Sequence, residues 1–181
     1  MSYVTLAVLF FLSGFFMKLS DDACDVGGDK SLAIVFGILC GLVSAFATVS
    51  SASAACIFIG ILVGNLLAFK VDGIHHIITL ILFVIISLIL GIPELNLIIL
   101  LFCIFAALLD EVGHELISNL TSDKFLNYFF EYRCAMKVAI FLLAICGVFN
   151  IWFFVLFILF EFAYLVAQSL SDNGLFTKTR F

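Results

Sequence analysis

The sequence has a single proline and few charged residues. Asp, Glu, Lys and Arg make up only 12% of its 181 residues, whereas about 25% is usual in soluble domains. Hydrophobic residues account for 65% of the chain. A water-soluble domain of this size cannot bury so much apolar surface, because small domains have a large surface relative to their volume. This composition excludes a soluble enzyme, a nucleic-acid-binding protein and a disordered chain, and it indicates an integral membrane protein.

Paired cysteine motifs are also absent from the sequence. Its six cysteines are scattered without the CxxC spacing that is typical of zinc and redox sites. A cysteine inside an apolar run usually acts as a small hydrophobic residue. We therefore expect the cysteines to pack as apolar side chains.

Long apolar runs fill most of the sequence. A membrane-spanning helix needs about 20 mainly apolar residues. Helix is the expected state, because the alternating pattern of barrel strands is absent. We predict a single all-α domain over 1–181, an integral membrane bundle of about seven transmembrane helices. The expected helices lie near 3–20, 31–50, 53–71, 75–92, 95–112, 134–149 and 151–170.

Two small-residue patterns suggest how the helices meet. The second predicted helix contains Gly37-xxx-Gly41 and the third contains Gly60-xxx-Gly64. Both patterns are typical of close helix packing in membranes. The alternative is that the small residues leave room for a lipid chain, and we prefer packing. Because a short Ser/Ala turn joins these helices, we expect them to form a tight hairpin.

The segment 116–133 is less apolar and places aromatic residues among charges. This mixture is typical of an amphipathic helix at a membrane interface. We expect the segment to lie over the cytoplasmic mouth of the bundle. There it is either a lid that orders over a bound substrate or a passive connector.

The basic residues predict the orientation of the bundle. All eight lie at, or just inside, the face where the first predicted helix ends. The positive-inside rule makes this face cytoplasmic, with the N-terminus outside and the C-terminus inside. We expect a multi-pass protein in a lipid bilayer, the plasma membrane of a prokaryote. The basic residues are Lys18, Lys30, Lys70, Lys124, Arg133, Lys137, Lys178 and Arg180.

Acidic residues cluster after the first, third and fifth predicted helices, which all run towards the cytoplasmic face. Residues three or four apart share a helix face, so the carboxylates should converge and repel one another unless a cation lies between them. Mg²⁺ is a natural candidate, since it commonly bridges carboxylates to substrate phosphates. The candidate metal ligands are Asp21, Asp22, Asp25, Asp110, Glu111 and His114.

A solvated helix cap is the competing interpretation for acids at helix ends, and we prefer it for Asp29, Asp123 and Asp172. For the candidate ligands a repeated pattern favours a site. The pattern FxxLxDDxxD at 16–25 matches FxxLxDExxH at 105–114 position by position.

Four further polar residues are possible members of the site. Asp72 and His76 echo the pattern weakly. Metal binding by His75 and His76 is one interpretation, but we prefer histidines that face water at the interface, and a zinc site would want a tighter His/Cys set than the three histidines of this sequence provide. Glu161 lies in the middle of the last predicted helix, where an ionisable group usually marks a functional site. Alternatively, a protonated Glu161 holds helices together by a hydrogen bond. Asn65 is its expected polar partner.

The two acidic motifs resemble those of UbiA-type membrane prenyltransferases. Residues 21–29 (DDACDVGGD) resemble the (N/D)DxxDxxxD motif of that family, and residues 110–114 (DEVGH) resemble its DxxGD motif, with His114 in place of the last aspartate. The family also separates its motifs by four helices and tends to carry a basic residue where Lys70 stands. The resemblance covers residues 16–115.

This resemblance implies a magnesium-dependent transfer of a prenyl group. Two sets of carboxylates would hold Mg²⁺ around an allylic isoprenyl diphosphate whose tail runs into the bilayer. The metal and Lys70 would neutralise charge as the diphosphate leaves, and aromatic walls would shelter the allylic cation. The implied catalytic residues are Asp21, Asp22, Asp25, Asp110 and Lys70.

Two other hypotheses remain open. A ring of acids at a cytoplasmic vestibule, with Glu161 and Asn65 deeper in the bundle, would suit a transporter or channel for a divalent cation or a proton. The repeat is parallel, however, whereas secondary transporters commonly have inverted repeats. The third hypothesis is a non-catalytic lipid-binding or assembly protein, in which substitution of Asp21 or Asp110 destabilises the fold without abolishing any turnover.

Overall fold

The computed structural model describes residues 1–120 and 123–176. Within these ranges the chain is helical and contains no strand, which confirms the all-α prediction. Seven apolar helices overlap the seven predicted ranges, and a short amphipathic helix precedes the sixth of them. The helices are α1 (Tyr3–Asp25), α2 (Lys30–Ser50), α3 (Ala52–Leu67), α4 (Ile74–Leu90), α5 (Leu97–Leu120), α6 (Lys124–Glu131), α7 (Cys134–Ile145) and α8 (Ile151–Leu170), followed by a π-helical turn (Ser171–Leu175).

Four helical segments of the described chain are long and apolar enough to cross a membrane. They are Tyr3–Asp25, Lys30–Ser50, Leu97–Ile117 and Ile151–Leu175. The apolar helices α3, α4 and α7 have 16, 17 and 12 residues. At about 1.5 Å per residue they are shorter than the ~30 Å hydrocarbon core of a bilayer. The helices indicate a multi-pass membrane protein, while the count of seven spans stays a prediction.

Two acids cap helices as the sequence suggests. One carboxylate oxygen of Asp29 accepts 3.0 Å hydrogen bonds from the N–H groups of Ser31 and Leu32 at the start of α2. Asp123 caps α6 in the same way. Such caps satisfy N–H groups that have no partner within the helix. Asp172, the third predicted cap, lies in the π-helical turn after α8.

Helix α1 continues to Asp25, past its predicted end at residue 20. The chain leaves the helix through Gly27 and Gly28, and Gly28 has a φ of +68°, which favours glycine. The first acidic cluster is therefore helical. Asp21, Asp22 and Asp25 lie in the last turns of α1, in the three- and four-residue spacing that shares a helix face.

The glycines allow close packing, but not within the predicted pair of helices. A Cβ atom at Gly37 would lie 3.1 Å from the carbonyl oxygen of His75 in α4. A Cβ atom at Gly60 would lie 2.8 Å from the Cβ atom of Cys103 in α5. The expected α2–α3 hairpin is present, since Ser51 alone joins the two helices, but Gly37 and Gly60 do not form its interface. Helices α2 and α3 do contact each other, but their glycine faces turn towards α4 and α5.

Helices α1 and α8 approach still more closely. A Cβ atom at Gly14 would lie only 2.1 Å from the carbonyl oxygen of Phe160. The ring of Phe58 on α3 packs on both, 4.8 Å from the ring of Phe10 and 6.1 Å from that of Phe160, measured between centroids. Phe58 of α3 thus packs against the interface between α1 and α8.

The interfacial segment is shorter than predicted. Residues 116–120 extend α5, and only Lys124–Glu131 forms a separate helix, α6. Helix α6 has no buried residue, and Phe125 and Tyr128 are 73% and 62% exposed. The ring of Phe130 rests on Gly113, so α6 lies against the end of α5. Residues 121 and 122, and the basic residues Lys178 and Arg180, lie outside the described residues.

Candidate functional site

Two adjoining cavities lie between the ends of the helices. We call the smaller one, of about 480 Å³, the acidic cavity, because Asp21, Asp22 and Asp25 line it. The larger cavity has about 810 Å³, and aromatic and aliphatic side chains of α8 form much of its wall. A set of side chains that we call the partition lines both cavities. The partition consists of Lys18, Glu111, Arg133 and Tyr164.

The partition is held by Arg133. Its Nε lies 3.1 Å from one carboxylate oxygen of Glu111, and Nη2 donates to the other oxygen at 3.3 Å. Nη1 donates to the hydroxyl of Tyr164 at 3.3 Å. The Lys18 ammonium and the guanidinium also lie 5.4 Å and 5.8 Å from the centroid of the Tyr164 ring. Cations attract aromatic rings at such distances, so the ring of Tyr164 interacts with both Lys18 and Arg133 and holds these two positive charges near each other.

Arg133 stays charged in this setting. Burial by itself lowers the pKa of its guanidinium, but Tyr164 and Glu111 raise it by more, and the net shift is upward. The residue stands just before α7 with a φ of +47°, a backbone conformation that non-glycine residues seldom adopt. This position directs a permanent positive charge into the space between the cavities.

The acids of α1 differ in their contacts. Asp22 is 6% exposed, and one of its oxygens lies 2.9 Å from the Lys18 ammonium. Its other oxygen is buried without a hydrogen-bond partner. Asp25 is exposed at the rim of the acidic cavity. A buried carboxylate oxygen is costly unless something satisfies it, and this oxygen of Asp22 has no partner among the described residues.

Asp110 has a contact that the sequence did not predict. Its two carboxylate oxygens accept hydrogen bonds of 2.8 Å and 2.7 Å from the backbone N–H groups of Ala135 and Met136. These groups belong to the first turn of α7, so Asp110 ties α5 to α7. It lines the larger cavity and is not among the residues around the acidic one. Its role as a magnesium ligand stays a prediction.

The other α5 candidates do reach the acidic cavity. Glu111 and His114 line both cavities, and His114 is exposed. Glu111 is 8% exposed, but Arg133 occupies both of its oxygens. The structure thus brings two of the three α5 candidates into the cavity of the α1 acids.

The loop between α3 and α4 adds charge of both signs. Lys70 lines the acidic cavity, and its ammonium lies 3.0 Å from a carboxylate oxygen of Glu115. Asp72 also lines the cavity and is exposed. One of its oxygens lies 3.9 Å from Nε2 of His76.

The preferred interpretation of His75 as a histidine that faces water is wrong, because this side chain is buried. Asp21, His75 and His76 each place one ligand atom so that these atoms lie within 4.8 Å of one another. The two histidines are adjacent in sequence, which usually points side chains of a helix in different directions. Their nearness therefore follows from the folded arrangement, although the motif Asp72-Gly-x-His75-His76 was the available signal.

Glu161 has a different partner from the one expected. Its carboxylate lies 3.0 Å from the ammonium of Lys137 on α7. Asn65, the predicted partner, lines both cavities, whereas Glu161 lines only the larger one. The prediction missed Lys137 because the close approach of α7 and α8 depends on tertiary packing.

The acidic cavity combines the features of a site for a metal-bound anion. The carboxylates of α1 that line it suit a hard cation such as Mg²⁺. Lys18, Lys70 and Arg133 around the same space suit an anion. No family model, curated protein or solved structure matches the chain.

Proposed function

We propose that the protein is a membrane-embedded, magnesium-dependent prenyl transferase that binds an allylic isoprenyl diphosphate in the acidic cavity. The observation that carries this proposal is the mixture of charges around one space. Carboxylates of α1 and α5 line it together with the basic residues Lys18, Lys70 and Arg133. The acids suit a divalent cation, and the basic residues suit the phosphate oxygens that such a cation leaves exposed.

The larger cavity is the proposed binding space for the apolar isoprenyl chain. It shares the partition with the acidic cavity, and its wall includes Phe157, Ile158 and Phe160 of α8. An isoprenyl chain would extend past Tyr164 into this space while the diphosphate remains among the charges. The Tyr164 ring would then face the allylic carbon region, where an aromatic face stabilises positive charge.

Each charged residue has a proposed task. Asp21, Asp22 and Asp25 would hold magnesium, which would supply positive charge to neutralise the diphosphate leaving group. Lys70 and Arg133 bind phosphate oxygens, and Lys18 holds Asp22 in place through its 2.9 Å contact. Asp110 holds the start of α7, and thereby keeps Arg133 at the edge of both cavities.

We also infer seven membrane spans with the acidic cavity on the cytoplasmic side. In the described part of the chain, the basic residues lie in the C-terminal half of α1, at the start of α2, after α3, and between α5 and the first turn of α7. The connections at the opposite ends of these helices contain no basic residue. The positive-inside rule therefore predicts a cytoplasmic acidic cavity.

The native cysteines offer a test of this topology. Cys146 is exposed in the connection between α7 and α8, which belongs to the face without basic residues. A membrane-impermeant maleimide added to intact cells should label the wild-type chain and not Cys146→Ser. Labelling that requires permeabilised cells would contradict the orientation.

Thermal unfolding of the purified protein in detergent tests the proposed activity first. The protein would be heated with Mg²⁺, farnesyl diphosphate, both, or neither. A ligand that binds only the folded state stabilises it by ~2.7 kcal/mol at a hundredfold excess over its dissociation constant. We expect the largest rise in Tm with both ligands, and the loss of that rise in Asp22→Asn.

Glu94→Gln is the matched control for Asp22→Asn. Glu94 is an exposed acid in the connection between α4 and α5, at the end of the bundle opposite the cavity. It should keep the full rise in Tm. If diphosphate adds nothing to the effect of Mg²⁺ on the wild type, the prenyl transferase proposal fails.

Cation or proton transport is the second candidate function, and the Lys137–Glu161 pair favours it. Both side chains are about four-fifths buried, with 22% and 20% exposed, and they line the larger cavity deeper in the bundle. Charged groups at such depth often mark an ion or proton pathway. Flux of protons or Mg²⁺ into liposomes that Glu161→Gln abolishes would favour transport over prenyl transfer.

A further inference from the structure

Two histidines and an aspartate meet where the start of α4 packs beside the end of α1. Nε2 of His75 and Nε2 of His76 lie 4.0 Å and 3.8 Å from the same carboxylate oxygen of Asp21. The two imidazole rings are 4.0 Å apart between centroids. One nitrogen from each ring and one carboxylate oxygen thus surround a small common space.

His75 is the member of this group that most needs a partner. It is 3% exposed, and neither ring nitrogen has a hydrogen-bond partner in the structure. Buried polar atoms are nearly always satisfied, because an unsatisfied one has lost its water without replacement. A ligand in the common space would satisfy Nε2 of His75.

The local sequence holds the His75 ring in this position. A Cβ atom at Gly73 would lie 2.4 Å from Cε1 and 2.7 Å from Nδ1 of His75. The φ of Gly73 is −93°, which any residue can adopt, so glycine is needed there for the close approach of the ring and not for the backbone. The His75 carbonyl is fixed as well, since it accepts a 2.8 Å hydrogen bond from Thr79.

We propose that Asp21, His75 and His76 bind one divalent transition-metal ion of the zinc class. Two imidazoles with one carboxylate are a known ligand set for zinc that leaves the fourth position open. Tetrahedral ligands about 2.1 Å from the metal stand roughly 3.4 Å apart. The two nitrogen–oxygen separations of 3.8 Å and 4.0 Å, and a nitrogen–nitrogen separation of at most 4.8 Å, would shorten by side-chain rotation to reach that geometry.

This site is distinct in its chemistry from the proposed magnesium site. Magnesium prefers oxygen ligands, whereas imidazole favours zinc and similar metals. The zinc site uses the one Asp21 oxygen that faces the histidines, and it leaves the second oxygen of Asp21, together with Asp22 and Asp25, for magnesium. Asp72, whose oxygen lies 3.9 Å from Nε2 of His76, is close enough to accept a hydrogen bond from a water in the open position. The inference does not depend on the prenyl transfer reaction.

Metal titration of the chelator-treated protein in detergent tests the proposal. We expect one tightly bound Zn²⁺ per chain by elemental mass spectrometry, and a Co²⁺ absorption spectrum typical of nitrogen ligands. His75→Gln and His76→Gln should each weaken Zn²⁺ binding at least tenfold. His114→Gln removes the third histidine of the chain, which lies outside the group, and should leave the affinity unchanged. Weak or substoichiometric binding by the wild type, or an equal loss in His114→Gln, would overturn the proposal.

Gly73→Ala tests whether a loss of Zn²⁺ binding arises from the moved His75 ring and not from misfolding. It keeps every ligand but displaces the His75 ring, so it should weaken Zn²⁺ binding while the helical circular dichroism and the elution volume stay normal. A normally folded Gly73→Ala variant with wild-type affinity would refute the assigned His75 geometry. The rise in Tm with Mg²⁺ and farnesyl diphosphate is measured on the same His75→Gln protein. Loss of zinc with that rise retained separates the zinc site from the proposed function.

Discussion

Asp110→Asn separates a structural role from a metal-binding one. The wild-type carboxylate accepts two short hydrogen bonds from the start of α7 and is 3% exposed. An asparagine side chain retains one acceptor oxygen for one of these hydrogen bonds. Its NH₂ group is a donor and cannot accept from the second backbone N–H, so that hydrogen bond is lost. Hydrogen bonds to charged groups contribute about 1.5–3 kcal/mol each, and loss of a helix cap costs about 0.5–2 kcal/mol. We expect the variant to lose about 2–3 kcal/mol of unfolding free energy.

Equilibrium unfolding in mixed micelles with increasing SDS measures this loss. Trp152 is the only tryptophan and lies 5.9 Å from Tyr3 between ring centroids, so its fluorescence reports the packing of α1 against α8. Glu94→Gln serves as the control, since its exposed carboxylate makes no comparable contact with a helix start. An Asp110→Asn variant as stable as the wild type would refute the capping argument. If that stable variant also lost the Mg²⁺ and diphosphate effect on Tm, Asp110 would be a ligand.

Three further predictions concern the packing and the charges. Gly14→Ala places a Cβ atom 2.1 Å from the Phe160 carbonyl oxygen, so we expect it to lower the free energy of unfolding by about 3 kcal/mol. Gly41→Ala should lower it by less, because the nearest atom to its new Cβ is 3.0 Å away. The same SDS titration compares the two variants, and equal losses would contradict the packing. Arg133→Gln leaves Glu111 buried without its charge partner, so we expect the free energy of unfolding to fall by about 2–3 kcal/mol. In a double-mutant cycle, the double variant Arg133→Gln/Glu111→Gln should recover part of this loss. Lys70→Ala breaks an ion pair whose side chains are 39% and 61% exposed, so the free energy of unfolding should change by under about 0.5 kcal/mol. The concentration of farnesyl diphosphate needed to raise the Tm should nevertheless increase at least tenfold. An unchanged concentration would exclude Lys70 from the diphosphate site.

The fold was largely predictable because membrane helices leave a simple signal. Apolar length and turn residues gave the positions of seven apolar helices, and Asp29 and Asp123 were recognisable as caps. The end of α1 was missed because polar residues were taken to end the helix. Helix partners were also missed: Gly37 and Gly60 show that a helix will pack closely, but any neighbouring helix can meet that face.

The site was predictable in part, for a related reason. Spacing within one helix identified Asp21, Asp22 and Asp25 as a group, since helical geometry relates them directly. Contacts between helices carry no such local signal. Asp110 and Asp21 occupy equivalent positions in the repeated pattern, yet one caps α7 and the other faces two histidines. Tertiary packing assigned these different roles to similar sequences.

Electron paramagnetic resonance with Mn²⁺ in place of Mg²⁺ tests most directly whether one cavity holds a metal-bound diphosphate. The protein in lipid nanodiscs would receive Mn²⁺ and farnesyl diphosphate, and pulsed measurements would record hyperfine coupling between the metal and ³¹P. We predict a clear ³¹P coupling in the wild type and in Glu94→Gln, and its loss in Asp22→Asn. Mn²⁺ that binds to the wild type without any ³¹P coupling would contradict a diphosphate site in the acidic cavity.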